Sequence, residues 1–266
     1  MCKIITVANQ KGGVAKTTTV RNLAYSLAEL GYRVLVADDD PQSNSTASLF
    51  VEDEESEDTS KTVTTMANLM TMAMDGEELP PKSEYIRKLG KIDFIPNDIH
   101  LAVVEANLRM EMGSEKVLSS ILEPLREDYD FILIDTNPSL GPLTTNALSA
   151  ADSVLITINP EFYATIGLQD LTKTILKVKR RINPKIEFEG ILLAMCDLRT
   201  KLHRRICVEV NKAYGNSMII FKTSIPRTID VGEANDRGLS ILEYNPESKA
   251  GLAYDEFAKE LIGHAG

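Results

Sequence analysis

The sequence has 266 residues, 43% of them hydrophobic and 26% charged, with a net charge of −10. That is enough chain for one sizeable α/β core and requires no second domain. Cys2, Cys196 and Cys207 are too few and too scattered for a disulfide framework or a paired-cysteine metal site, no apolar run approaches the ~20 residues of a membrane span, and no signal peptide precedes the first strand pattern, so a cytoplasmic protein is expected.

In chain order, Lys3 to Ala8 (KIITVA) has the pattern of a buried strand, and Thr17 to Leu30 places Val20, Leu23, Ala24, Leu27 and Leu30 on one helical face. Between them runs Lys11-Gly-Gly-Val-Ala-Lys-Thr-Thr18, a phosphate-loop pattern carrying two lysines. Gly12 and Gly13 let the backbone approach a ligand, and the helix start behind them offers unpaired N–H groups and the positive end of a dipole. In such a loop Lys16 reaches the outer phosphates, Thr17 places its hydroxyl on a magnesium ion and Thr18 donates to an inner phosphate, with Val14 and Ala15 completing the cradle. Ala15 stands where the last glycine is usual, and its Cβ is expected to be accommodated by a negative φ. An ordinary turn before a helix is the alternative, but it leaves Lys-Thr-Thr at this spacing unexplained.

Arg33 to Ala37 reads as a second strand, after which Asp38, Asp39 and Asp40 are expected to emerge at the edge where α/β proteins bind ligands. Residues 51–61 (VEDEESEDTSK) are acidic and aperiodic, as in a solvated loop. Met66, Leu69, Met70, Met72 and Met74 follow a short helical pattern suited to core or dimer packing. Phe131-Ile-Leu-Ile-Asp135 presents an acid after four apolar residues, as a Walker B aspartate is offered to magnesium or its waters. Further strands are expected near 91–95, 153–158, 187–195 and 218–221, with helical patterns between. The expected fold is therefore a single α/β domain over residues 1–266, a P-loop NTPase fold with a mainly parallel twisted sheet of about seven strands and helices on both faces.

The charge is unevenly distributed. Residues 1–160 carry 13 Lys+Arg against 25 Asp+Glu, whereas Lys173 to Lys212 carries 11 against 4. Lys173, Lys177, Arg180 and Arg181 close one helical pattern, and Arg199, Lys201, Arg204 and Arg205 open another. Such a patch neutralises phosphates without reading bases. Cations at a helix C-terminus also favour its dipole, so the first group has an equally structural explanation; the second lies at a helix start, where the dipole disfavours them.

Asn9-Gln-Lys-Gly-Gly-Val-Ala-Lys-Thr-Thr18, Asp38-Asp-Asp-Pro-Gln-Ser-Asn44 and Asp135-Thr-Asn-Pro-Ser-Leu-Gly141 together resemble the ParA-type, deviant Walker A ATPases, and are most similar to the Soj-like members. Glu161-Phe-Tyr-Ala164, Met195-Cys-Asp-Leu-Arg-Thr200 and Ser224-Ile-Pro-Arg227 extend the resemblance over nearly the whole chain. It implies an ATPase that takes ATP and Mg2+, forms a homodimer around ATP, and binds double-stranded DNA non-specifically in that state. Release would follow hydrolysis stimulated by a ParB-like centromere-binding partner, giving a nucleoid-associated protein with no membrane partner. Residue by residue, the resemblance makes Lys11 the lysine that touches the partner's ATP, Asp40 the group that places the attacking water or a magnesium water, and Asp135 the Walker B acid. It encloses adenine with the region from Met195 to Asp197, Cys196 included, and with Pro226 and Arg227. Asn137 and the segment Thr228-Ile-Asp230 depart from the family's pattern, the second by lacking a basic residue that could touch DNA. No DNA-binding extension is expected ahead of the first strand. The alternative is a MinD-like membrane-positioning ATPase, but Tyr254 to Gly266 is acidic where such a protein needs a basic amphipathic helix, and core packing is expected for it.

Overall fold

Strands β1 (Lys3–Ala8), β2 (Val34–Asp39), β3 (Arg87–Leu89), β4 (Ile92–Ile95), β5 (Phe131–Thr136), β6 (Ser153–Ile158), β7 (Glu187–Cys196) and β8 (Ile220–Pro226) form one sheet in the order β3-β4-β2-β5-β1-β6-β7-β8. The structure is a computed structural model that describes residues 2–43, 45–46, 63–161 and 164–264. Every pairing is parallel except that of β3 with β4. The sheet thus has eight strands among the described residues, one more than expected. β3 escaped the sequence pattern because it is three residues long, half-exposed and charged, as suits a sheet edge.

The helices in chain order are α1 (Lys16–Glu29), α2 (Met66–Asp75), α3 (Lys82–Tyr85), α4 (Leu101–Leu108), α5 (Val117–Leu122), α6 (Pro142–Ala150), α7 (Ala164–Arg181), α8 (Lys201–Tyr214), α9 (Ile229–Asp236), α10 (Ile241–Tyr244) and α11 (Lys249–His264). Period-two alternation in the strands feeds a separate core on each face. In β1, Ile5 and Val7 pack on the side of α1, α9, α10 and α11, while Ile4 and Ala8 face the side of α2 and α4 to α8. Met66 and Met70 are fully buried in that second core, so this part of the methionine pattern is packing. The acidic residues 51–61 lie outside the described residues, as do Asn44, Phe162 and Tyr163.

Two strands run further than the sequence pattern indicates. β2 continues through Asp39 because its ladder with β5 continues, Asp38 opposite Asp135 and Asp39 opposite Thr136. β8 spans Ile220–Pro226 rather than 218–221. Its neighbour β7 needs glycine at position 190, where φ is +149° and a Cβ would sit 2.7 Å from the Phe221 ring.

The segment from Tyr254 is core-packed, as expected. Tyr254, Phe257, Ala258 and Leu261 of α11 are fully buried, and Phe257 meets Phe221 edge to face at 4.9 Å. The Glu260 carboxylate accepts the N–H groups of Lys222 (2.7 Å) and Thr223 (2.9 Å), which β8 as an edge strand would otherwise leave unpaired. Phe257→Ala is expected to lower the unfolding free energy by about 3–5 kcal/mol. Urea unfolding followed by circular dichroism measures it, and a loss under ~1 kcal/mol would mean that α11 is not docked in this way.

Candidate active site

The C-terminal ends of β1, β2 and β5 converge on the loop of residues 9–15. Asn9 anchors it: its side-chain amide donates to Thr157 O on β6 at 2.6 Å, and its Oδ1 accepts Lys11 N at 2.9 Å. Val14 is buried, and Gly13 takes a φ of +69°. Ala15 also takes a left-handed backbone, φ +63° and ψ +29°, so the expectation of a negative φ is corrected. The chain enters α1 through that residue, a turn that suits glycine and costs an L-residue about 1–2 kcal/mol. Ala15 offers no side-chain cap and the first turn holds no acid, which leaves the N–H groups at the start of α1 available to an anion.

Lys16 is 7% exposed, and its ammonium reaches back to Lys11 O at 3.4 Å. Burial lowers its pKa, while Asp135 and Asp40 oppose that shift. Asp135 is fully buried; Ser45 Oγ donates to its Oδ2 at 2.6 Å, and its Oδ1 has no hydrogen bond. Burial pushes its pKa up to about 6 against the opposing hydroxyls of Ser45 and Thr17 and the Lys16 charge.

Of the three successive aspartates only Asp40 emerges at the strand end, because ladder pairing draws the other two into β2. Asp38 accepts Thr46 Oγ1 (2.6 Å), Thr46 N (2.9 Å) and Asp40 N (3.2 Å), shaping the turn after β2; burial and then Asp135 raise its pKa to about 7. Asp39 has both carboxyl oxygens unpartnered, and burial followed by repulsion from Asp38 holds its pKa well above the carboxylate range. Asp40 accepts Gln42 N at 2.9 Å, and its carbonyl accepts the Asn97 amide at 2.9 Å. Asn137 is a loop anchor, accepting Ser139 Oγ (3.1 Å) and Thr144 Oγ1 (3.2 Å).

A cavity of about 390 Å³ is bounded by Gly12, Gly13, Ala15, Lys16, Thr17, Thr18 and Asp40, and by Arg21, Gln42, Pro138 and Asn235, which the sequence pattern did not single out as site residues. A second cavity, of about 320 Å³, adjoins it and is lined by Met195, Ile225, Pro226, Arg227, Thr228 and Val231 among others. Cys196 and Asp197 line a third cavity, of about 490 Å³, together with Pro226 and Arg227, and it shares Pro226, Arg227 and Thr228 with the second. Alternation along β7 turns Met195 toward the loop and buries Cys196, while Asp197 is held by Arg199 through two hydrogen bonds of 2.8 and 2.9 Å. The hydrogen bonds from Arg199 keep the Asp197 carboxyl low, at about 2.

Among the described residues no group of three or more His, Cys, Asp and Glu forms a ready-made metal cage. Magnesium does not require one, since one or two carboxylates, a hydroxyl and phosphate oxygens hold it, and the unpartnered Oδ1 of Asp135 together with the Thr17 hydroxyl fits that donor set. Lys11 lines neither cavity; its ammonium pairs with Glu161, which also accepts the Asn159 amide at 2.8 Å.

The eight basic residues are all exposed and lie on, or just before, two helices in contact, α7 and α8. Lys173 pairs with Asp170 (3.0 Å), Arg199 with Asp197 and Arg205 with Glu209 (3.6 Å). Lys177, Arg180, Arg181, Lys201 and Arg204 have no ion pair among the described residues.

Residues 2–188 match the family model described as an AAA domain. The chain is 39% identical over 264 residues to the sporulation initiation inhibitor protein Soj of Bacillus subtilis, covering 99% of this chain and all of that one. It is 38% identical over 260 residues to the chromosome partitioning protein ParA of Myxococcus xanthus, covering 98% and 88% respectively. The chain belongs to the ParA/Soj family of P-loop ATPases. Among solved structures, Mycobacterium smegmatis cobyrinic acid a,c-diamide synthase with bound ADP and magnesium superposes with a TM-score of 0.81 at 34% identity, covering 100% of this chain and 96% of that one. The septum site-determining protein MinD of Pyrococcus horikoshii shares the fold, with a TM-score of 0.75 at 22% identity over 100% and 98% of the two chains.

Within this ParA/Soj-type site, Arg21 had a readable signal: it lies four residues after Thr17, on the same face of α1. Asn235 had none, since it arrives from α9 by a tertiary approach. Ala15→Gly is expected to raise the unfolding free energy by about 0.5–1 kcal/mol, because relief of the left-handed strain exceeds the added freedom of the unfolded chain. Chemical denaturation measures the change, and a lower midpoint in the glycine variant would contradict it.

Proposed function

We propose that this ParA-type ATPase binds ATP with Mg2+, dimerises around it, attaches to arbitrary duplex DNA in that state, and lets go when a ParB-like partner stimulates hydrolysis, so driving segregation of a plasmid or chromosome. The observation that carries this reading is the buried Lys16 at the uncapped start of α1, lining one cavity with Asp40 and lying in the field of the buried Asp135.

The triphosphate would lie on the N–H groups of residues 12–18, with the Lys16 ammonium against the outer phosphates. Thr17 and Asp135 would hold magnesium, with Asp40 close by to hold one of its waters, and the ion would neutralise charge on the phosphate oxygens. Asp40, largely buried but lining the cavity wall, orients the attacking water for in-line displacement at the γ phosphorus. Lys16, with Lys11 of a second copy, balances the charge that develops there. Among the described residues no strong general base faces this cavity, which accords with slow hydrolysis awaiting a partner. The base would rest against Met195, Pro226 and Arg227.

The cations of α7 and α8 supply the DNA surface. Arg199 follows the end of β7 that bears Met195, so the base cavity and the DNA surface share one loop. The MinD-like alternative loses support from α11, whose apolar face is buried in the core.

Lys16→Ala is expected to abolish ATP binding in titration calorimetry, and unchanged affinity would sink the site assignment. In fluorescence anisotropy at several salt concentrations, ATP but not ADP should make the protein bind an arbitrary duplex. Replacing Arg199 and Arg205 together with Ala should weaken that binding about tenfold or more while sparing ATPase activity, with a shallower salt dependence. Equal DNA binding by the double variant would remove these residues from the interface.

A further inference from the structure

The phosphate-loop cavity and the cavity at Met195 and Pro226 meet at four shared residues: Gly13, Ala15, Thr18 and Asn235. The first three belong to the loop and the start of α1. Asn235 alone comes from the facing wall, near the end of α9, and it is half-buried there. Its carboxamide, which can donate and accept at once, has no hydrogen bond to any of the described residues.

That wall is firmly held. Arg21 donates from Nη2 to Gly238 O at 2.7 Å and from Nη1 to Leu239 O at 3.1 Å, just beyond α9. Asn22 Oδ1 accepts Ile241 N at 2.7 Å, and Ala234, next to Asn235, is buried in the core. The helix whose first turn faces the phosphates therefore also fixes the place of Asn235.

A nucleotide with its phosphates on the loop and its base against Met195 and Pro226 must carry its sugar through the junction between the two cavities. We propose that Asn235 is a specificity-determining residue of the nucleotide site, its side-chain amide hydrogen-bonding a ribose hydroxyl so that ribonucleotides are preferred over their deoxy counterparts. This rests on the ATP-binding reading and adds to it a choice of sugar.

Calorimetric titration of ATP, 2′-deoxyATP and 3′-deoxyATP, each with magnesium, into wild type and Asn235→Ala tests it. Wild type is expected to bind at least one deoxy form about three- to tenfold more weakly than ATP, the span of one neutral hydrogen bond. Asn235→Ala should lose the same factor for ATP and bind that deoxy form as wild type does. Equal affinity of wild type for all three nucleotides, or a uniform loss across all three in the variant, would overturn the role of Asn235 while leaving the nucleotide site intact. A wild type that binds none of them would overturn the nucleotide site itself, and the sugar contact with it.

Discussion

Carboxylates crowd the ends of the central strands, and the Lys16 ammonium is the charge set against them. The cause is register: β2 and β5 run parallel with Asp38 opposite Asp135, so two acids that are distant in sequence are forced side by side in a dry layer. Asp39 and Asp40 add to the same negative field. Burial raises the pKa of Asp38, Asp39 and Asp135, whereas a magnesium ion at Asp135 would reverse that pressure by supplying a countercharge. An anionic ligand needs the opposite environment, and the uncapped start of α1 provides it a few residues away. In the proposed reaction the two regions meet on a single metal triphosphate.

Much of this was legible in the sequence because the signals are local. KIITVA, FILID and SVLITI gave their strands almost to the residue, and the glycine pair followed by Lys-Thr-Thr placed the loop between strand and helix. What was not legible depends on partners. The continuation of β2 through Asp39 is set by its ladder with β5, and an Asp-Asp-Asp run by itself suggests exposure. The left-handed φ of Ala15 is a demand of the turn that no side-chain pattern records. Which residue from Met195 to Asp197 turns toward the phosphate loop is set by alternation at the end of β7 and by the capture of Asp197 by Arg199, which leave Cys196 and Asp197 on the neighbouring cavity with Pro226 and Arg227.

Strain is also distributed by position. Among the described residues, three that are not glycine have a positive φ: Ala15, Ser43 and Met195. Ala15 and Ser43 lie in the loops that follow β1 and β2, and Met195 is the penultimate residue of β7, so all three sit at one edge of the sheet. Two of them line the cavities. Left-handed residues of this kind persist where the surroundings over-determine them, and here they bend the backbone around a ligand-sized space that straight continuation of the strands would fill.

The Lys11–Glu161 pair bears on how two chains could come together. Within one chain Lys11 already has an acceptor, itself steadied by Asn159. Both side chains are 46% exposed, so the contact is worth at most about 1 kcal/mol. If Lys11 is to act across a dimer, an internal and an external acceptor compete for each ammonium, and each internal pair that opens weakens association by up to about fivefold. So modest a handicap acts as a concentration threshold: sparse molecules remain single, and the ligand that offers the stronger external acceptor decides when they pair.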